Sequence, residues 1–182
     1  MACTIAGDID ITCDALKRAG GNHKKAWTFN LSDLRVPIDT SLAAYVTDLP
    51  LNTYALLRTI DGPKFGIEAS SNLQLGDGGN VSYNHQVIYR VFSTTPTDDA
   101  TLEDYATADT VHIIWTNNDE FKIYGGANGL TATAETDTTG RQITDSPVDT
   151  ITLGGVERFK PKRLLIGGSV ANTLAYLTSR EA

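Results

Sequence analysis

The sequence predicts a mostly β domain with one short α-helix. Three observations lead there. Thr, Val, Ile and Tyr are prominent, and such β-branched and aromatic residues suit a pleated, half-buried surface. The 16 Gly and 6 Pro cut the chain into short segments. Several of those segments alternate apolar and polar residues with the period of two that a strand requires. A length of 182 residues is that of one domain. An apolar share of 41% against 20% charged residues is enough for a core and far from the composition of a disordered chain.

Residues 1–21 read as an N-terminal arm, a short β-like run (Ile5, Ile9, Ile11) followed by a helical turn that Gly20 and Gly21 stop. Residues 22–182 read as a single β domain. From Lys25 to Leu34, Trp27, Phe29 and Leu31 alternate with Thr28, Asn30 and Ser32, the pattern of a half-buried strand. Pro37, Asp39 and Pro50 bracket a loop, Thr53 to Ile60 predicts a strand, and Asp61-Gly62-Pro63 turns the chain into another over Phe65 to Ser70. Gly76-Asp77-Gly78-Gly79-Asn80 supplies a tight turn, and Val81, Tyr83, His85, Val87 and Tyr89 share one face of the arm that follows.

A helix is expected near 97–107, where Thr97 caps, acidic residues occupy the first turn, and Leu102 and Tyr105 lie on one side. VHIIWT and EFKIYGG then form the clearest hairpin, turning at Asn117-Asn118-Asp119. The Thr-rich stretch near 131–145 reads as an exposed loop or projecting hairpin. Strands resume over Val148 to Leu153, with one or two more expected from Lys162 to Thr178.

A net charge of -7 and a pI near 4.8 argue against a protein that grips nucleic acid, since phosphate affinity comes from clustered Lys and Arg. The N-terminus lacks the basic start and apolar run of a secretion signal, and no apolar run reaches the roughly 20 residues of a membrane span. A chain kept in the cytoplasm is the expectation. Cys3 and Cys13 do not make a disulfide framework and are expected to be free.

Catalytic motifs do not appear: no nucleophile elbow, zinc-protease helix, phosphate loop or paired Cys motif. No catalytic, cofactor-binding or metal-ligating residue is assigned, and no enzyme activity is expected. His23, His85 and His112 are the histidines, and His112, between Val111 and Ile113, is expected to be a packed residue rather than a ligand. Asp98-Asp99, Glu103-Asp104 and Asp119-Glu120 fit solvated caps and turns better than a calcium loop, although Asp77 and Asp119 are where calcium would be sought. GDGGN, YGGANG and IGGS read as turns, because no helical pattern follows to aim its N-terminus at a phosphate. Trp27, Trp115, Tyr83, Tyr89 and Tyr124 are expected in the core rather than on a sugar-binding platform.

Read as an ordered string, the second half is more specific. VHIIWTNNDEFKIYGGANGL, a Thr- and Gly-rich stretch ending TGRQITD, and then DTITLGGVERFKP resemble a family of tail tube proteins of tailed bacteriophages. The opening is similar too, with Cys13-Asp14, Gly20-Gly21, then Trp27, Asn30 and Asp33 at spacings of three. Residues from Pro37 to Pro96 add little to the likeness.

The resemblance implies a β-sandwich or open barrel with one flanking helix, here Thr97 to Thr107. It also implies hexameric rings whose inner strands join into a continuous channel, and stacking of those rings through arms and loops. Met1 to Gly21 and Thr131 to Asp145 are the expected stacking segments. An acidic, Thr-rich lumen would pass viral DNA without binding it during ejection. The implied partners are other copies of the chain, the tape-measure, baseplate and terminator proteins, and in contractile tails a sheath. The implied place is the virion tail, assembled in the host cytoplasm. A capsid decoration, tail terminator or baseplate subunit, or a carbohydrate-binding β-sandwich, are the alternatives.

Overall fold

The computed structural model describes residues 21–38, 45–61, 66–76, 79–92, 103–105, 107–138 and 148–182. Strands dominate them, as the composition predicts. In chain order they are β1 (Asn22–Asn30), β2 (Tyr45–Val46), β3 (Arg58–Asp61), β4 (Ile67–Leu75), β5 (Val81–Phe92), β6 (Thr110–Thr116), β7 (Phe121–Tyr124), β8 (Thr131–Thr138), β9 (Val148–Glu157) and β10 (Lys162–Leu164). One sheet has the order β2-β10-β7-β6-β1-β3 and the other β4-β5-β9-β8. Neither closes on itself, so the fold is an open sandwich. All pairings are antiparallel except β10 with the two-residue β2.

The central strands of the six-stranded sheet, β1 and β6, are buried on both faces, which corrects the half-buried reading of its first strand. In β1, Ala26, Trp27, Thr28 and Phe29 are all buried. Their register opposite Ile114, Ile113, His112 and Val111 of β6 sorts the side chains into two cores. Trp27, Phe29, Val111 and Ile113 point away from the second sheet, into a core shared with Phe121, Ile123, Leu57 and Leu177. Ala26 and Ile114 point into the other core, between the sheets, with Val87, Tyr89, Ile151, Leu153 and Leu130. Unbroken apolar runs such as VHIIWT belong to such a central layer. Of the five aromatics expected in the core, Trp27, Tyr89 and Tyr124 are buried and Trp115 packs half-buried against it, whereas Tyr83 is half-buried outside both cores because its end of the strand runs past them.

The outer core is covered by a helix that the sequence reading took for strand. Beyond β10, residues Val170–Ser179 form α1. Ser169 caps it, its hydroxyl accepting from the Asn172 N–H at 3.1 Å, which satisfies one of the N–H groups a helix start leaves open. Val170, Thr173, Leu174 and Leu177 follow the i, i+3, i+4, i+7 spacing of one helical face and pack on the sheet. The chain end is then fastened down. The Trp27 Nε1–H donates to the Glu181 carboxylate at 2.9 Å, Lys25 pairs with the same group at 2.7 Å, and the Ala182 N–H donates to the Leu57 carbonyl.

Near 97–107, residues 103–105 are helical and Tyr105 packs on the inter-sheet core; the rest of that expected helix, apart from Thr107, lies outside the described residues. The long covering helix is therefore α1, on the opposite side of the six-stranded sheet. One boundary also moves. Thr53 and Tyr54 turn, so that strand starts only at Arg58; of the two readings of the Thr-rich stretch, Thr131–Thr138 takes the hairpin one, as a strand paired with β9, and 139–145 lie outside the described residues. The expected N-terminal arm, save Gly21, and both cysteines lie outside the described residues.

Candidate functional site

His112 and His85 are the groups that the fold treats most specifically, and both are structural. His112 is fully buried between Tyr89 and Thr110. The Thr110 hydroxyl donates its proton to the Leu130 carbonyl at 3.0 Å, so it accepts from His112 Nε2–H at 2.8 Å. His112 Nδ1 is then the acceptor for the Tyr89 hydroxyl at 2.9 Å. His85 follows the same logic: the Gly125 N–H donates to its Nδ1 at 3.3 Å, which leaves Nε2–H to donate to the Phe159 carbonyl at 2.9 Å. Burial holds both imidazoles neutral, lowering the pKa of His85 to about 4 and that of His112 to about 3. A group so depressed is a poor base near neutral pH. His23 instead stacks on Trp115 at the surface end of β1.

The YGGANGL segment is a turn, as expected, but a tightly locked one. Gly125 and Gly129 have φ of 76° and 80°, the left-handed region that favours glycine. The N–H groups of Ala127 and Asn128 both donate to Glu157 Oε1, at 3.2 and 3.0 Å, and Glu157 is 2% exposed. This loop does cradle an anion, and the anion is the protein's own carboxylate. Asn128 adds a bond from its side-chain amide to the Val156 carbonyl at 2.7 Å. Gly155 sits under the same loop, where an added Cβ would lie 2.5 Å from the Gly129 carbonyl oxygen. Gly155→Ala is therefore expected to cost about 2 kcal/mol in urea unfolding. Gly154→Ala, which meets a Thr133 methyl at 3.1 Å, should cost clearly less.

The feature left over is the outward face of the four-stranded sheet. The sheet's inner face carries His85, Val87, Tyr89, Ile151 and Leu153. Alternation and register put Ser70, Asn72 and Gln74 of β4 on the other face. Ser82, Asn84 and Gln86 of β5, Thr150 and Thr152 of β9, and Ala134 and Thr136 of β8 join them there. No described element packs over these residues. Glu68 is paired on this face with Arg90 at 3.3 Å, so the two charges offset each other. Glu135, Asp137 and Asp149 lie on the inner-face side.

Among the described residues, both borders of this sheet, β4 with nine residues and β8 with eight, have a strand on one side only. The sequence reading missed this feature, because pairing order is not local information. Glu157 was missed as well: a Glu at the end of an apolar strand gives no signal of burial.

The remaining sequence candidates stay apart. Glu103 and Asp104 are exposed on the helical turn, and Asp119 stands in the β6–β7 turn with its carboxylate 3.9 Å from His23. Glu120 pairs with Lys122 and Arg163. Asp77, Asp98 and Asp99 lie outside the described residues. Among the described residues no group of three or more His, Cys, Asp or Glu is placed to hold a metal ion, and no helix is long and apolar enough to cross a membrane. A scan against protein-family models and searches of curated proteins and of solved structures give no match.

Proposed function

We propose that this chain is a non-enzymatic virion protein, a tail tube subunit of a tailed bacteriophage that closes into hexameric rings by joining the open borders of its four-stranded sheet. The observation that carries the reading is the pair of long borders on β4 and β8. Within the sheet β4 and β8 run in opposite directions, so β8 of one copy set beside β4 of the next continues an antiparallel sheet without interruption. Such joining satisfies backbone groups that would otherwise template aggregation. A contact between two different borders is heterologous, and with rotation it closes into a ring. Six copies supply roughly two dozen strands, and barrels of about 16 strands already leave an open channel.

The buried six-stranded sheet and its helix stand on the side away from the channel in this arrangement, and the polar face lines it. The lining is mostly hydroxyl and amide, interrupted by Ile88, Val148 and Val156, and Glu68 and Arg90 pair within it. The lumen proposed is therefore uncharged and wet, in place of the acidic one expected from net charge. Without clustered Lys or Arg it offers phosphate nothing to hold, so DNA passes. Tape-measure, baseplate and terminator proteins, and a sheath in a contractile tail, are the partners that this role implies.

Cysteine pairing tests the border contact. With Cys3 and Cys13 changed to Ser, Asn72→Cys on β4 combined in turn with Ala134→Cys or Thr136→Cys on β8 should give, on oxidation, a ladder of disulfide-linked species ending at the hexamer. A chain that remains monomeric on a denaturing gel with every pair contradicts the contact.

A further inference from the structure

The hairpin formed by β4 and β5 extends its apolar face past the end of the sandwich. Register places Leu73 opposite Tyr83 and Leu75 opposite Val81, on the face that farther along holds His85, Val87 and Tyr89. Here, however, neither core reaches them. Leu73 is 56%, Leu75 72% and Val81 48% exposed. Basic residues border the stripe. Lys160 lies over the Tyr83 ring, Arg158 and Lys162 lie against Phe159, and Arg158 and Lys160 are exposed.

The other end of the same domain has the opposite character. A cleft of about 930 Å³ opens between β3, the helical turn at 103–105 and the far ends of β5 and β9. Among the described residues Leu56, Ile60, Val91 and Tyr105 give it apolar walls, and its charged lining, Asp33, Asp61 and Asp104 against Arg58, is acidic in balance. Val81 at the hairpin end and Val91 at the cleft are ten residues apart along one strand, about 33 Å. An apolar projection with a basic border at one end thus matches an apolar cleft with an acidic border at the other. Solvent-exposed apolar groups on a projecting hairpin gain by burial, and the paired charges fix the direction of docking.

We infer that the β4–β5 hairpin of one copy docks head-to-tail in the cleft between β3 and Tyr105 of a second copy, through Leu73, Leu75 and Val81, with Lys160 facing Asp104. The contact uses two different patches and lies along the strands, so it repeats without closing on itself. It rests on the ring reading only in this: where the copies are already in rings, it stacks one ring on the next.

The purified 182-residue chain is compared by sedimentation velocity and negative-stain microscopy with the triple variant Leu73→Ser, Leu75→Ser, Val81→Ser. The three positions are exposed, so the thermal melt should stay within a few degrees of the parent. The expected result is that the variant forms rings of unchanged mass, and that the concentration needed for stacking rises at least tenfold. Lys160→Glu alone and Asp104→Lys alone should each weaken stacking, and the two together should restore it. Stacking of the triple variant at the parent's concentration overturns the docking while leaving the rings intact. Failure of the double exchange to restore what both single exchanges lose overturns the Lys160–Asp104 pairing. Open filaments without rings that the triple variant abolishes support the docking and overturn the ring closure instead.

Discussion

Acidification from pH 6.5 to 4 is expected to remove several kcal/mol from the stability of this fold through two histidines. In the folded chain His85 ionises at about 4 and His112 at about 3, below the 6.5 of a free imidazole. The unfolded chain therefore binds protons first as the pH falls. Their contribution is complete above pH 6.5 and is lost progressively toward pH 4 for His85 and toward pH 3 for His112. A tenfold difference in proton affinity is worth about 1.4 kcal/mol, so each removes roughly 3 kcal/mol by pH 4.

The geometry explains why the proton is refused. Each Nδ1 already accepts a hydrogen bond, from Tyr89 in one case and from Gly125 in the other. Protonation would place a charge where burial keeps water away, and at His85 it would also set the new Nδ1–H against the Gly125 N–H. Urea unfolding at intervals between pH 7 and pH 4 measures the slope, and carboxylates add to it in the same direction. The isolating comparison is His85→Gln with His112→Gln, whose stability is expected to be lower at pH 7 but to fall less steeply by about two protons' worth. A double variant with the parent's slope contradicts the assignment.

Glu157→Ala is expected to cost about 4 kcal/mol. The carboxylate accepts from two backbone N–H groups, and each unpaired donor left in a buried site costs about 1–3 kcal/mol. The side chain also leaves a void under the turn. Glu157→Gln keeps an acceptor in place and should lose less than half as much, which separates the hydrogen bonds from the charge. Equal losses for the two variants in urea unfolding would show that the charge itself holds the turn.

Period-two segments were legible to within a few residues: the β4–β5 and β6–β7 hairpins form at the expected turns, and Val87 and Tyr89 point inward as their alternation requires. The helix α1 was misread because Val, Thr and Tyr are strand formers by propensity. The 3.6-residue spacing of Val170, Thr173, Leu174 and Leu177 was nonetheless present behind the Ser169 cap, and period outranks propensity when a face packs.

The Thr-rich stretch left loop and hairpin undecided for the converse reason. Its first eight residues carry no apolar stripe because β8 is a border strand whose backbone, rather than its side chains, ties it to β9. The borders and the cleft depend on which strands are neighbours, and no local pattern carries that. The acidic lumen was an expectation of the resemblance and the net charge, with no carboxylate assigned to it. Register places Glu135, Asp137 and Asp149 on the inner-face side of the sheet, so the lining proposed above carries few charges.

Negative-stain microscopy of the purified 182-residue chain, with native mass spectrometry on the same sample, tests the ring most directly. Border-to-border closure predicts rings or tubes of one uniform bore and a mass of six chains. A monodisperse monomer at tens of micromolar, or closed particles in which β4 and β8 remain unpaired by hydrogen exchange, would contradict it.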